Sequence, residues 1–510
     1  MSDNKDIGEG SFSGTPPQNL KNETLGGFFW LFGGSGSQAV LQIIVLSILA
    51  RLVTPYEFGV IGIALIVIRF SRIFSQMGMG PALVQRPELT QAHIRTGFTS
   101  SLLLGGFFAL TLIASAPYVA AFFEMPELTA VLKVIALIFI IDSFVVVSQS
   151  LLQRKLKLKL YALAEVISYA IGYSTVGITL AYLGFGVWAL VYARLGQVLI
   201  RSVIVSYLEP HSVIPYWNHK AFKELFYFGS GYTIAKIANY LAGQGDNLVV
   251  GKLLGADALG FYSRAYQIMV APAALIGGSL DTALFPAMST VQKNKKKLQN
   301  AFLRSIELIA LASLPASAVI IVNAPEIVLV LLGENWTDVI FPLQILGAGM
   351  LFRVSYKISD SLARALGVVY KRAWRQIVYA TAIFIGAYVG SYWNIDGVAV
   401  GVTIAIVVNF LLMAHLSLKE LGTGWSPFFE RHSRALALSI ITLVVSLAAI
   451  TQLRIYIESV FIRESVFLVF ITGFLLSAFY YFRTFLRIEQ EVSDITCQTK
   501  RYFRKMRKVA

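Results

Sequence analysis

Apolar runs of roughly 20 residues recur from residue 28 to residue 485, separated by short polar bridges. At 1.5 Å rise per residue, a run of about that length is what a helix needs to cross a hydrocarbon core. The pattern predicts about fourteen spanning helices, over 28–52, 58–80, 96–116, 131–152, 161–183, 186–207, 225–250, 260–286, 303–323, 339–362, 373–392, 396–417, 434–453 and 465–485. In lipid every backbone polar group must be satisfied internally, so the expected class is an all-α integral membrane fold.

The bridges alternate in charge. Arg86 and Arg95 follow the second helix, Arg154, Lys155, Lys157 and Lys159 the fourth, and Lys220 and Lys223 the sixth. Lys293, Lys295, Lys296 and Lys297 follow the eighth, and Arg364, Lys371, Arg372 and Arg375 the tenth. The opposite bridges carry Glu124, Glu127, Glu326, Glu334 and Asp396, and only Arg51, Lys252, Arg454 and Arg463 break the alternation. By the positive-inside rule the basic bridges are cytoplasmic. An even helix count then places both termini in the cytoplasm.

Composition adds limits. Charged residues make up 14% of the 510, and hydrophobic ones 56%. The net charge of +15 belongs to the bridges and tails, so it sets topology and does not point to nucleic acid. The single cysteine, Cys497, excludes an intrachain disulfide and a multi-cysteine metal site. Residues 1–25 are polar and unlike a cleavable signal peptide; they read as a short disordered tail.

A repeat runs through the apolar pattern. Arg51-Leu52-Val53 with Phe58-Gly59 matches Lys252-Leu253-Leu254 with Leu259-Gly260 at an offset of 201, as does Ala82-Leu83 with Ala283-Leu284. Ala116-Pro117 matches Ala324-Pro325 at 208, and Ser148, Ser150 and Leu151 match Ser359, Ser361 and Leu362 at 211. The order holds and the offset drifts slowly, as insertions in bridges would make it. The expected organisation is an N-lobe of six helices over 26–215 and a C-lobe of six over 216–420. An extra helix pair over 421–486 and a basic tail over 487–510 complete it. Both lobes start on the same side, so the repeats are parallel, a plan that transporters use to enclose a central site.

Charges inside a membrane cost several kcal/mol and mark function or pairing. Arg69, Arg72 and Gln76 share one face of the second helix, and Lys236, Asn239, Gly243 and Asp246 one face of the seventh. On the tenth, Arg353, Lys357, Asp360 and Arg364 correspond at an offset of 211 to Asp142, Val146, Gln149 and Gln153 on the fourth. Gln38 and Gln42 make a milder stripe on the first helix, and Arg194 lies within the sixth. Cations dominate, so a water-filled cavity lined by Arg69, Arg72, Arg194, Lys236 and Arg353 would hold an anion. Arginine suits phosphate because its planar fork donates two parallel hydrogen bonds. Gln38, Gln76, Asp142, Asn239 and Asp246 are the other polar cavity or coupling candidates. The competing reading is internal pairing, such as Arg353 with Asp142, or snorkelling, which suits Arg201, Lys357 and Arg364. Gly243 and Gly245 are expected to interrupt the seventh helix.

No Walker A loop, metal-spaced His/Cys set or catalytic motif is present, and the five histidines are scattered. The chain is therefore expected to be no enzyme and to need no cofactor beyond a proton or sodium gradient.

The segment Leu49-Ala50-Arg51-Leu52-Val53-Thr54-Pro55-Tyr56-Glu57-Phe58-Gly59, with Phe74-Ser75-Gln76-Met77-Gly78 and Ala82-Leu83-Val84-Gln85-Arg86, resembles Wzx-type polysaccharide flippases similar to the colanic acid exporter. These belong to the multidrug/oligosaccharidyl-lipid/polysaccharide (MOP) flippase superfamily. The resemblance implies a V-shaped two-lobe fold. It implies movement of undecaprenyl-pyrophosphate-linked oligosaccharide across the bacterial inner membrane, for exopolysaccharide or lipopolysaccharide assembly. It also implies cationic residues in the central cavity, membrane lipids and polysaccharide polymerase machinery as partners, and a monomer. The competing function is a cation-coupled multidrug antiporter of the same superfamily, which would favour an acidic cavity.

Overall fold

The computed structural model describes residues 38–86, 88–292 and 294–485. The expected tails, with Cys497, and positions 28–37 of the first span lie outside the described residues. All regular structure among the described residues is helical.

The first half runs through α1 (Gln38–Leu52), α2 (Pro55–Gln76), α3 (Met79–Gln85), α4 (Gln91–Phe123), α5 (Leu128–Ile135) and α6 (Leu137–Arg154). Then come α7 (Leu158–Ser168), a π-helical stretch at Tyr169–Thr175, α8 (Val176–Tyr182) and α9 (Val187–Leu208). The second half holds α10 (His219–Leu253), α11 (Gly255–Val291), α12 (Lys295–Leu331), α13 (Ile340–Ala348), α14 (Met350–Ala365), α15 (Val369–Gly390) and α16 (Asn394–Leu421). The last pair is α17 (Trp425–Tyr456) and α18 (Val460–Phe485). Among the described residues nine helices, or ten counting the bent α13–α14 pair, are long and apolar enough to cross a membrane. The figure of fourteen crossings rests on the sequence pattern.

Local chemistry explains the entry to α2. Thr54 caps the helix, Pro55 takes the first turn, where its missing N–H costs nothing, and Glu57 closes a capping box. The Thr54 backbone N–H and hydroxyl donate to Glu57 Oε2 at 2.8 and 2.9 Å. Four residues on, Gly59 has no room for a side chain: a Cβ there would sit 1.8 Å from the Ala256 carbonyl oxygen. A Cβ on Gly260 would sit 2.1 Å from the Pro55 carbonyl oxygen. Gly59 and Gly260 are 201 positions apart, and so are Pro55 and Ala256. The two contacts are the same contact made twice, as an isologous two-fold interface requires. The repeat found in the sequence is therefore built into the packing of α2 against α11.

Other contacts close the same end of the helices, the face that carries the acidic bridges. Trp336, fully buried, donates to the Ala50 carbonyl at 2.8 Å and meets the rings of Phe58 and Phe261 edge-on. The four cations that break the charge alternation are all engaged there. Arg51 donates to the Val330 carbonyl at 2.7 Å and lies over the Phe461 ring. Lys252 pairs with Glu124 at 2.8 Å, and Arg454 and Arg463 flank Glu326 at 2.8 and 3.6 Å.

Two helices are broken within their expected spans. The fourth breaks at Ala136 between α5 and α6. The tenth bends by 41° at Gly349, between α13 and α14. The seventh, by contrast, is continuous: Gly243 and Gly245 lie within α10 and do not interrupt it. Gly245 serves packing, since a Cβ there would be 2.7 Å from the Phe384 ring. The α17–α18 pair packs on α12, where Asn323 donates to both Glu464 oxygens at 2.6 and 2.5 Å.

Candidate functional site

In the first half, α2, α6, α7 and α9 bring four charges into one network. Asp142 is buried between Arg72 Nε and Arg201 Nη2, each 2.9 Å away. Arg201 Nη1 reaches on to Glu165 at 3.1 Å, and the Tyr161 hydroxyl donates to the same carboxylate at 3.1 Å. Each carboxylate is paired with at least one cation, which is the condition for keeping buried charge inside a membrane.

Four other arginines have no carboxylate partner. Arg69 is exposed and makes no hydrogen bond or ion pair among the described residues. Arg194 donates to the neutral Gln197 amide at 2.7 Å, with Arg69, Arg72 and Arg201 within electrostatic reach. Arg264 donates to Gln267 and lies 4.5 Å over the Phe58 ring. It also faces Tyr169 and Tyr173, which stack with ring centroids 5.0 Å apart. Those tyrosines come from the π-helical stretch, a local winding often found where a helix is shaped for function. Arg353, on α14, donates to the Tyr266 hydroxyl and covers its ring at 4.6 Å. At 1.5 Å per residue, Arg69, Arg194, Arg264 and Arg353 lie roughly 10–20 Å below the acidic face, near mid-membrane.

Asp246 stands apart. It is buried, accepts from the Tyr262 hydroxyl and the Asn247 backbone N–H at 2.9 Å each, and lies within electrostatic reach of Arg353. Phenols make the near surroundings of Arg353: Tyr266, Tyr356 and Tyr379 lie within electrostatic reach, as does Asp246.

The structure brings Arg69, Arg72, Arg194 and Asp142 together and places Arg353 with Asp246 in the other half. The competing reading's pairing of Arg353 with Asp142 does not occur; Arg72 and Arg201 lie against the two carboxylate oxygens instead. Arg201 does not snorkel; it is buried in that network. Gln38 and Gln76 are half-buried at the described start of α1 and the end of α2, without polar partners among the described residues. The side chains of Lys236 and Asn239 lie outside the described residues. Glu165 and Arg264 escaped the sequence reading, which took Arg201 for a snorkelling residue. Arg201 follows Arg194 by seven residues on the same helical face, and Arg264 is a lone cation in an apolar span, so both carried a usable signal.

Comparison with known proteins agrees with this architecture. The chain is similar to the lipopolysaccharide biosynthesis protein WzxC of Escherichia coli (strain K12), 23% identical over 84% of this chain and 88% of that one. It is similar to the succinoglycan biosynthesis transport protein ExoT of Rhizobium meliloti (strain 1021), 26% identical over 82% and 83%. Its fold matches the lipid II flippase MurJ in an inward closed conformation, with a TM-score of 0.70, 14% identity, and coverage of 88% of this chain and 99% of that one. A family model described as polysaccharide biosynthesis protein matches residues 48–341, more than half of the chain. With the helical membrane fold and the arginine-lined interior, that match establishes that the chain belongs to the polysaccharide biosynthesis protein family.

Proposed function

We propose that this multi-pass membrane protein is a flippase that moves polyprenyl-pyrophosphate-linked oligosaccharide across the bacterial inner membrane by alternating access. The carrying observation is a set of intramembrane arginines with no carboxylate in contact: Arg69, Arg194 and Arg264 gather around Tyr173, and Arg353 stands at similar depth in the other half. Uncompensated cations in a membrane interior are costly, and an anionic ligand removes that cost. A pyrophosphate offers oxygens for several forked guanidinium contacts at once. The tyrosines beside Arg264 and Arg353 offer ring faces and hydroxyls to sugar. The chain is a transporter and not an enzyme, as the relatives named as transport proteins suggest.

In this reading the basic face is cytoplasmic, both termini with it, and the residues 26–215 and 216–420 act as two lobes that rock against each other. Residues 421–486 are an added pair. Asp142 and Asp246 are the acids to test for proton or sodium coupling, since Asp142 competes with substrate for Arg72. The protein works as a monomer beside the polymerase machinery that consumes its cargo. A cation-coupled multidrug antiporter would want acids free in the cavity, whereas here both acids nearest it are already held by arginines or phenols.

The test is transport in liposomes with a labelled polyprenyl-pyrophosphate oligosaccharide. Wild type should flip the lipid and Arg69→Ala/Arg353→Ala should lose at least about tenfold in rate while eluting as a monodisperse peak. Undiminished flipping by the double variant would remove the cationic-cavity mechanism. Transport of organic cations, with no flipping by wild type, would favour the antiporter.

A further inference from the structure

On the lipid-facing side of the second half, α15 and α16 are joined by glycines rather than side chains. A Cβ on Gly386 would lie 2.5 Å from the Gly401 carbonyl oxygen, and one on Gly390 would lie 2.3 Å from that of Gly397. Two GxxxG steps, Gly386 with Gly390 and Gly397 with Gly401, thus bring the helix backbones into contact. Such contact leaves a trough where side chains would otherwise stand. The trough is a cavity of about 700 Å³ with nearly all-apolar walls, including Ile385, Val389, Val400, Ile404 and Phe341.

Three features of the trough constrain what fills it. Its α16 wall runs from Asp396 to Val408, roughly 18 Å along the helix axis. That length is close to one leaflet of a hydrocarbon core about 30 Å thick. The exposed rings of Tyr388, Tyr392 and Trp393 mark the acidic-face end as the membrane–water interface. At that end Asp396 makes no hydrogen bond or ion pair among the described residues, and the exposed Asp338 lies within its electrostatic reach.

We propose that this groove is a binding site for one phospholipid with a primary-amine headgroup, of the phosphatidylethanolamine class, from the acidic-face leaflet. One acyl chain lies in the glycine-floored trough, and the ammonium meets Asp396 and Asp338. Lipid must cover this surface in any membrane, so the selectivity comes from the headgroup. The two carboxylates repel a lipid whose head is only anionic, which argues against the pyrophosphate end of the cargo. A polyprenyl chain also far exceeds one leaflet in length. The site is separate from the arginine-lined interior and does not depend on the function proposed for it.

Native mass spectrometry of the full-length protein tests this. The protein is released from nanodiscs holding equal amounts of phosphatidylethanolamine and phosphatidylglycerol with identical chains, plus a small fraction of undecaprenyl phosphate. Wild type should retain one phosphatidylethanolamine, about fivefold over phosphatidylglycerol, as one modest charge contact provides. Asp396→Asn should bring the two lipids level. Ile404→Trp, whose side chain fills the trough from its lipid side, should cut retention of both. Equal retention by wild type, a preference that survives Asp396→Asn, retention indifferent to Ile404→Trp, or preferential capture of undecaprenyl phosphate would each overturn the proposal.

Discussion

Asp142 and Arg353 stand at corresponding positions of the two halves, 211 residues apart, and carry opposite charge. Their surroundings differ accordingly. Asp142 is clamped by two arginines, one of which also holds Glu165, so the charges in that network answer one another. Arg353 has phenols for neighbours and keeps its charge uncancelled by any carboxylate in contact. The difference separates two uses of intramembrane charge: one pins helices together, the other is left available for a ligand.

The largest effect that could break this comparison is on stability. Asp142→Ala leaves Arg72 and Arg201 facing each other in a buried place, and should cost about 3 kcal/mol. Thermal unfolding in detergent would show it, and a variant as stable as wild type would mean that the network is not structural. Arg353→Gln should do the reverse, leaving the melting temperature within a degree or two of wild type while slowing flipping about thirtyfold, the equivalent of one charge-assisted contact of about 2 kcal/mol. Tyr266→Phe removes the hydroxyl that receives Arg353. It should slow flipping about fivefold, through loss of about 1 kcal/mol of positioning. Rescue by Tyr266→His would confirm a role for the polar atom over ring packing.

The smallest effect lies outside the membrane. Glu209 follows α9 on the basic face. Burial alone would raise its carboxyl, but hydrogen bonds from Lys155 and Lys157, and their charge, outweigh that and hold it below the usual carboxylate value of 4.5. A depressed carboxylate contributes stability that is fully present above its unfolded pKa and is lost as pH falls through the folded one. Both lysines are well exposed, so the contribution is under about 1 kcal/mol. Glu209→Gln should therefore lower the melting temperature slightly at pH 7 and match wild type near pH 3.

Much of the fold was legible because bilayers punish exceptions. Run length exposes spans, and a repeat survives wherever contact geometry is repeated, as at Gly59 and Gly260. Part of the site was legible for the same reason, since Arg69, Arg72, Arg194 and Arg353 break apolar runs. Pairing was not. Whether Arg201 points to water or to Asp142 depends on how α6 and α9 are rotated, which periodicity alone does not fix. The role of Gly245 in the continuous α10 shows only in its packing against Phe384, far away in sequence. Glycine in a membrane helix reads alike whether it bends the helix or admits a neighbour.

The doubled contact of Gly59 with Ala256 and Gly260 with Pro55 has a mechanical consequence. Two pins set four residues apart on each rod resist twisting as well as pulling. A latch of that form does not leak gradually; with one pin drawn, the other becomes a pivot, and separation of the rods follows in a single motion. Parting of α2 from α11 at the acidic face would thus be all-or-none, and a methyl group on either glycine would hold the latch ajar from both sides.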